Sequence, residues 1–218
     1  SDIDDDYNVH EVVKYGTYLE VKEVIAKDRP RLIALKDSLG RTVLHYAVLF
    51  DRTKIALFLI SKNADINARD NDEATPLHLA AANGLTDMCR FLLEFKAIIK
   101  VKDSKCWTPL HHAVNGNHIE TATLLVKRGV DLHAEDHKYG RTALHLAAEK
   151  GFTEMGEMLI IRGASLTASG DAFYSKTPLH LACINGHTDT VLMLCQRDSD
   201  VNALSGLLDK TPLHFSIE

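Results

Sequence analysis

The chain has 218 residues, 45% of them hydrophobic and 25% charged, and a formal net charge of −5. No apolar run approaches the roughly 20 residues needed to span a bilayer, so direct membrane insertion is not expected. An acidic chain has no global pull toward nucleic acid, although it leaves room for a local basic strip. The acidic opening Ser1-Asp2-Ile3-Asp4-Asp5-Asp6 is the opposite of a secretory or mitochondrial presequence, and an intracellular, cytoplasmic location is expected.

The first element is expected from about Tyr7, where His10 and Gly16 stand 35 residues ahead of His45 and Asp51. It keeps a two-helix plan. Its second helix is predicted from Leu19 to Lys27, with Arg29-Pro30-Arg31 forcing an exit, because proline removes a backbone donor and crowds the preceding turn. Lys14, Glu20, Lys22, Glu23 and Lys27 supply the polar outer face that a terminal unit of an array needs.

From Thr42 onward a tetrapeptide sets the phase. Its copies are Thr42-Val43-Leu44-His45, Thr75-Pro76-Leu77-His78, Thr108-Pro109-Leu110-His111, Thr142-Ala143-Leu144-His145, Thr177-Pro178-Leu179-His180 and Thr211-Pro212-Leu213-His214, and successive threonines are 33, 33, 34, 35 and 34 residues apart. A period near 33 residues denotes a repeat array. Threonine is a favoured N-cap and proline suits the first helical position, so a helix is predicted at each copy. The leucine and alanines that follow form an apolar stripe whose small residues admit a close neighbour. Each first helix is expected to end on a residue suited to φ > 0, at Gly84, Gly151 and Gly186, with Asp51 and Asn117 as substitutes. Second apolar runs such as Ile55 to Ile60 then close at Asn63, Gly129, Gly163 or Asp198.

Together these residues resemble the ankyrin repeat, over nearly the whole chain. The resemblance implies an all-α solenoid of stacked helix-turn-helix units with short β-hairpin or finger loops. It divides a single domain, 1–218, into a tail and capping repeat (1–38), repeats at 39–71, 72–104, 105–138, 139–173 and 174–207, and the start of a further repeat at 208–218. Because that last unit stops part way along its first helix, the chain is expected to be a fragment of a longer polypeptide. Two units depart from the family's Asp-x-x-Gly-x-Thr finger, which Asp37 to Thr42 follows: Glu73 and Cys106 replace the glycine. Lys96 stands where a second helix normally ends on glycine, so its cap is expected to be made differently, and the junction of those units to open readily. His112 occupies a position that is leucine at Leu79, Leu146 and Leu181, and is expected to be a partly buried, hydrogen-bonded side chain. The connectors Glu135 to Arg141 and Ser169 to Lys176 are one and two residues longer than the norm, placing extra length at finger tips.

The residues that could carry chemistry are periodic. Of the four cysteines, Cys89, Cys183 and Cys195 are expected to be buried and Cys106 to sit at a finger tip, all as reduced thiols, since no C-x-x-C occurs. Marker histidines on helices packed about 8 to 10 Å apart cannot share a zinc ion, whose nitrogen ligands lie about 2 Å from it. The resemblance implies instead that each imidazole bonds locally and to the next repeat's loop. No phosphate loop, G-x-S-x-G or H-E-x-x-H is present. No catalytic residue, cofactor or metal is expected, and the chain is read as non-enzymatic.

What remains is recognition. The resemblance implies that residues just before each marker threonine, and just before the turn ending the first helix, face a concave groove. The residues directly before the threonines include Arg41, Trp107, Arg141, Lys176 and Lys210, and those three before include Tyr139, Tyr174 and Leu208. With Phe50, Phe173 and Ile184 these form the expected partner-binding set. Its alternation of aromatic or apolar with cationic groups points to a protein partner offering an acidic, partly apolar segment, bound by a monomeric scaffold or adaptor. The alternative expectation is a docking or regulatory arm of a larger enzyme, channel or effector.

Overall fold

A computed structural model of the chain describes residues 8–169, 175–206 and 209–215, with only the backbone of 27–30. The acidic start, the centre of the 169–176 connector and the last three residues lie outside the described residues. The residues group into two compact units that divide after Ile98. The first holds α1 (Val9–Tyr15), α2 (Tyr18–Ala34), α3 (Val43–Leu49), α4 (Thr53–Ser61), α5 (Pro76–Ala82) and α6 (Thr86–Glu94). The second holds α7 (Pro109–Asn115), α8 (Ile119–Lys127), α9 (Ala143–Lys150), α10 (Thr153–Ile161), α11 (Pro178–Ile184), α12 (Thr188–Gln196) and α13 (Pro212–Phe215). Among the described residues no strand forms, and β structure is confined to an isolated bridge between Ser205 and Lys210.

Thr42, Thr75, Thr108, Thr142 and Thr177 are each the N-cap of a first helix, as the marker predicts. The leucine two residues on is buried in every case: Leu44, Leu77, Leu110, Leu144 and Leu179. In the first unit α3 packs on α1 and α5 while α4 packs on α2; in the second α9 packs on α7 and α11, and α10 on α8 and α12. First helices thus stack on first helices and second on second, as the resemblance implies.

The N-terminal pair differs once from expectation and once from the later pairs. Helix α2 does not stop before Pro30 but continues to Ala34. A proline inside a helix costs about 3 kcal/mol, whereas Val21, Ile25 and Ile33 form one buried stripe across it, and each buried aliphatic side chain contributes ~1.5–3 kcal/mol. Gly16 is also not left-handed like its counterpart Asp51; its φ is −70° and its ψ 165°. The end of α1 is completed from outside, because the Arg52 guanidinium donates to the carbonyls of Val13 (3.0 Å), Lys14 (3.1 Å) and Gly16.

Elsewhere the turns follow the predicted scheme even where glycine is missing. Asp51, Asn63, Asn117 and Asp198 have φ between 50° and 66°, and so do Glu73 and Cys106 at 60°. Lys96, expected to need a different cap, makes the same one: its φ is 68° and its N–H donates to Leu93 O at 3.1 Å, as Asn63 N–H does to Ile60 O at 3.0 Å. The residue absorbs a strain of roughly 1–2 kcal/mol. One buried thiol is a correction. Cys89 is buried and Cys183 half-buried, but Cys195 is exposed; α12 buries Thr190, Met193 and Leu194, and Cys195 lies one position past that stripe.

Candidate protein-binding surface

The finger loops that carry the predicted site share one construction. Asp37 Oδ1 accepts from the N–H groups of Leu39 and Arg41, Asp70 Oδ1 from Asp72 and Ala74, Asp103 Oδ1 from Lys105 and Trp107, and Asp136 Oδ1 from Tyr139 and Arg141, at 2.8–3.1 Å. The aspartate folds its own loop and aims the residues before the threonine. Burial opposes charge on Asp37, Asp103 and Asp136, yet the hydrogen bonds they accept outweigh it, and all three carboxyls lie below the usual carboxylate range. Adjacent fingers are joined in each unit, by Asn71 N–H to Leu39 O and by His137 N–H to Lys105 O, both 2.9 Å.

The marker histidines hold each loop to the helix before it. The N–H groups of Thr42, Thr108, Thr142 and Thr177 donate to Nδ1 of His45, His111, His145 and His180 at 3.1–3.2 Å. Nδ1 is therefore an acceptor, so the neutral imidazole carries its proton on Nε2. That atom faces the carbonyls of Ala74, Arg141, Lys176 and Lys210 respectively, at 2.9–3.3 Å. His10 repeats the contact for the capping unit, with Nε2 3.0 Å from Arg41 O and 3.1 Å from Leu35 O. Apart from Leu35, each residue whose carbonyl is so held stands directly before a marker threonine, the position predicted to face a partner. Burial lowers the pKa of His45, His111, His145 and His180, to about 4 for His111 and His145.

On this frame the second unit presents the predicted aromatics under cations. Tyr139 has Lys138 Nζ 4.7 Å and the Arg141 guanidinium carbon 4.8 Å from its ring centre. Trp107 lies edge-on to His112 at 5.2 Å, with Lys105 Nζ 5.6 Å from its ring. Lys176 and Lys210 converge on Phe215, at 5.9 and 5.2 Å. Ile184 is 40% exposed on the same run of first helices. His112 Nε2 donates to Asp103 Oδ2 at 2.8 Å, and His112 is partly buried, as expected.

Arg141 is placed differently from an interface cation. Its Nε donates to Asp136 Oδ2 at 2.9 Å and its Nη1 to Glu149 Oε2 at 2.7 Å, and only 19% of its side chain is exposed. It is a strut of the loop. In the first unit Arg41 lies 3.6 Å from Asp70. Phe50, 43% exposed, stacks on Tyr46 at 6.3 Å and meets Tyr15 at 6.3 Å, with Lys14 Nζ 5.2 Å away. Phe173, Tyr174 and Leu208 lie outside the described residues. Lys105, Lys138, Phe215 and Tyr15 were not in the predicted set. Lys105 and Lys138 flank predicted aromatics in sequence and could have been found there, whereas Phe215 meets its lysines only through stacking.

The family model for ankyrin repeats (3 copies) matches residues 3–70, 68–136, 100–170 and 130–205. The nuclear factor NF-kappa-B p105 subunit of Gallus gallus is 30% identical over 135 residues, 61% of this chain; the chain spans 14% of that protein's length. The crystal structure of the ankyrin repeat domain of Bcl-3, described as a unique member of the IkappaB protein family, superposes with a TM-score of 0.85 at 28% identity, covering 97% of this chain and 94% of that one. The capping threonines, the histidine bridges and the finger loops therefore fall in the register of a matched family: the chain belongs to the ankyrin repeats, which are protein–protein interaction modules.

Proposed function

We propose that the second unit binds an acidic, partly apolar segment of a protein partner, through Trp107, Tyr139, Ile184, Lys176, Lys210 and the flanking Lys105 and Lys138. The observation that carries this reading is the repeated seating of a cation over an aromatic ring, at Trp107 and Tyr139 on consecutive repeats and at Phe215 in the 208–218 segment. Aromatic rings supply rigid apolar area, and ammonium groups at their edges attract carboxylates. Phe173, Tyr174 and Leu208 belong to the proposal by register, and Arg141 acts by holding the loop. Arg41 and Phe50 are proposed as partner-binding residues of the first unit by itself. The reading includes a monomeric, non-enzymatic module working inside the cell. A docking or regulatory arm of a larger polypeptide is the second reading, supported by a relative of which the matched chain is 14%.

Peptides selected from a random library against the whole chain test the first reading. Acidic sequences with interspersed apolar residues are expected, with Trp107→Ala plus Tyr139→Ala weakening binding by more than about 2 kcal/mol. Selection of basic peptides, or unchanged affinity in a folded double variant, would place the site elsewhere.

A further inference from the structure

A cleft of about 880 Å³ opens in the first unit between α2, α4 and the connectors that follow them. It plays no part in the surface just described. Its apolar lining includes Ile25, Ile33 and Phe58, all buried. Among the described residues of the lining, three lysines, Lys22, Lys36 and Lys62, surround this floor, with Asp65 as the carboxylate. Such a volume lies in the range of small-molecule sites, roughly 300–1,000 Å³, which combine apolar walls with a few polar groups.

The polar groups decide between a peptide and a simpler ligand. A peptide brings a donor and an acceptor per residue, and these need partners once removed from water. The lining hydroxyls are engaged: Thr42 Oγ1 lies 3.0 Å from His45 Nδ1, and Ser61 Oγ donates to Phe58 O at 2.6 Å. Asp65 Oδ1 accepts from Asn67 N–H at 2.9 Å. The ammonium groups keep capacity. Lys36 Nζ uses one of its three donors on Arg69 O at 2.9 Å, and Lys62 Nζ lies 5.9 Å from the Phe58 ring, at the edge of the apolar floor.

We propose that this cleft binds a small amphiphilic carboxylate, its alkyl or aryl body against Ile25, Ile33 and Phe58 and its head group among Lys22, Lys36 and Lys62. The test is a titration of the whole chain with decanoate below its micellar concentration, by calorimetry and methyl NMR. One saturating site is expected, with shifts at Ile25 and Ile33 and none at Leu144. Lys22→Glu with Lys62→Glu should weaken it roughly tenfold or more, about 1.4 kcal/mol. Ala34→Trp, which fills the cleft and keeps the lysines, should abolish it. Far-UV circular dichroism verifies that both variants fold. Decyltrimethylammonium, with the same chain and opposite charge, should not saturate. Absence of saturation, equal binding of the cation, indifference to charge reversal, or binding only to phosphatidylglycerol vesicles would overturn the proposal.

Discussion

The imidazole of His111 donates from Nε2 to the backbone carbonyl of Arg141, 3.3 Å away and 30 residues further along the chain. Its other nitrogen accepts the Thr108 N–H, so this ring bonds on both sides only while neutral. A second proton would displace the acceptor contact and place a charge in a buried site, which is why burial pulls the pKa of His111 and His145 down to about 4. The unfolded chain takes up these protons first, near pH 6.5.

Stability should accordingly be complete above pH ~6.5 and fall as the pH drops toward 4, by up to about 1.4 kcal/mol per pH unit for each such histidine. His45 and His180, lowered by the same burial, act in the same direction. The depressed carboxyls of Asp37, Asp103 and Asp136 contribute only below pH ~4, so the interval from 6.5 to 4.5 reports the histidines. Urea midpoints measured across that interval should decline, and His111→Gln should flatten the decline while lowering stability at pH 7.5. A level profile would contradict the neutral tautomer.

Lys96, Glu73 and Cys106 hold positive φ without glycine's freedom. Lys96→Gly and Cys106→Gly should each raise stability by about 0.5–1 kcal/mol, the relieved strain less the extra entropy of the unfolded glycine. The reverse exchange fails at Gly151, where φ is 70° and an added Cβ would stand 2.6 Å from the His187 ring; Gly151→Ala should destabilise. Equilibrium urea denaturation of the three variants measures both signs.

The four thiols should separate by exposure. Cys195 is exposed, Cys106 and Cys183 half-buried, and Cys89 buried with burial pushing its pKa up to about 12. Since the thiolate is the reacting species, iodoacetamide at pH 8 should label Cys195 first and Cys89 only on unfolding, as peptide mass spectrometry will show. Early labelling of Cys89 would mean that α6 opens locally.

The repeat was legible because its determinants are local: Thr142 caps the helix that His145 completes three residues later, and both stand in the marker. Chain ends and struts were not, because their partners are distant. Nothing near Gly16 announces that Arg52 will complete α1, and Pro30 is overridden by a stripe that extends beyond it to Ile33. Arg141 reads as an exposed cation until folding brings Glu149 to it. Cys195 shows the limit of an apolar run, which does not say where a buried stripe ends.

The ion pairs of Arg141 separate two kinds of charge change on one surface. Asp136 is buried and Arg141 is its ion-pair partner; removing one member of a buried pair leaves an uncompensated charge and costs about 3–5 kcal/mol. The backbone N–H groups of Tyr139 and Arg141 still bond Asp136, so Arg141→Ala should cost about 2–3 kcal/mol, with Tyr139 losing its fixed position. Lys105 and Lys138 are exposed on the same fingers. Lys105→Glu with Lys138→Glu should change stability by less than about 1 kcal/mol. It should instead slow association with an acidic peptide and weaken the salt dependence of that rate. Urea denaturation and stopped-flow association at two ionic strengths distinguish the outcomes. If Arg141→Ala unfolds like the parent chain, its bonds to Asp136 and Glu149 contribute nothing, and Arg141 returns to the set of partner-binding cations.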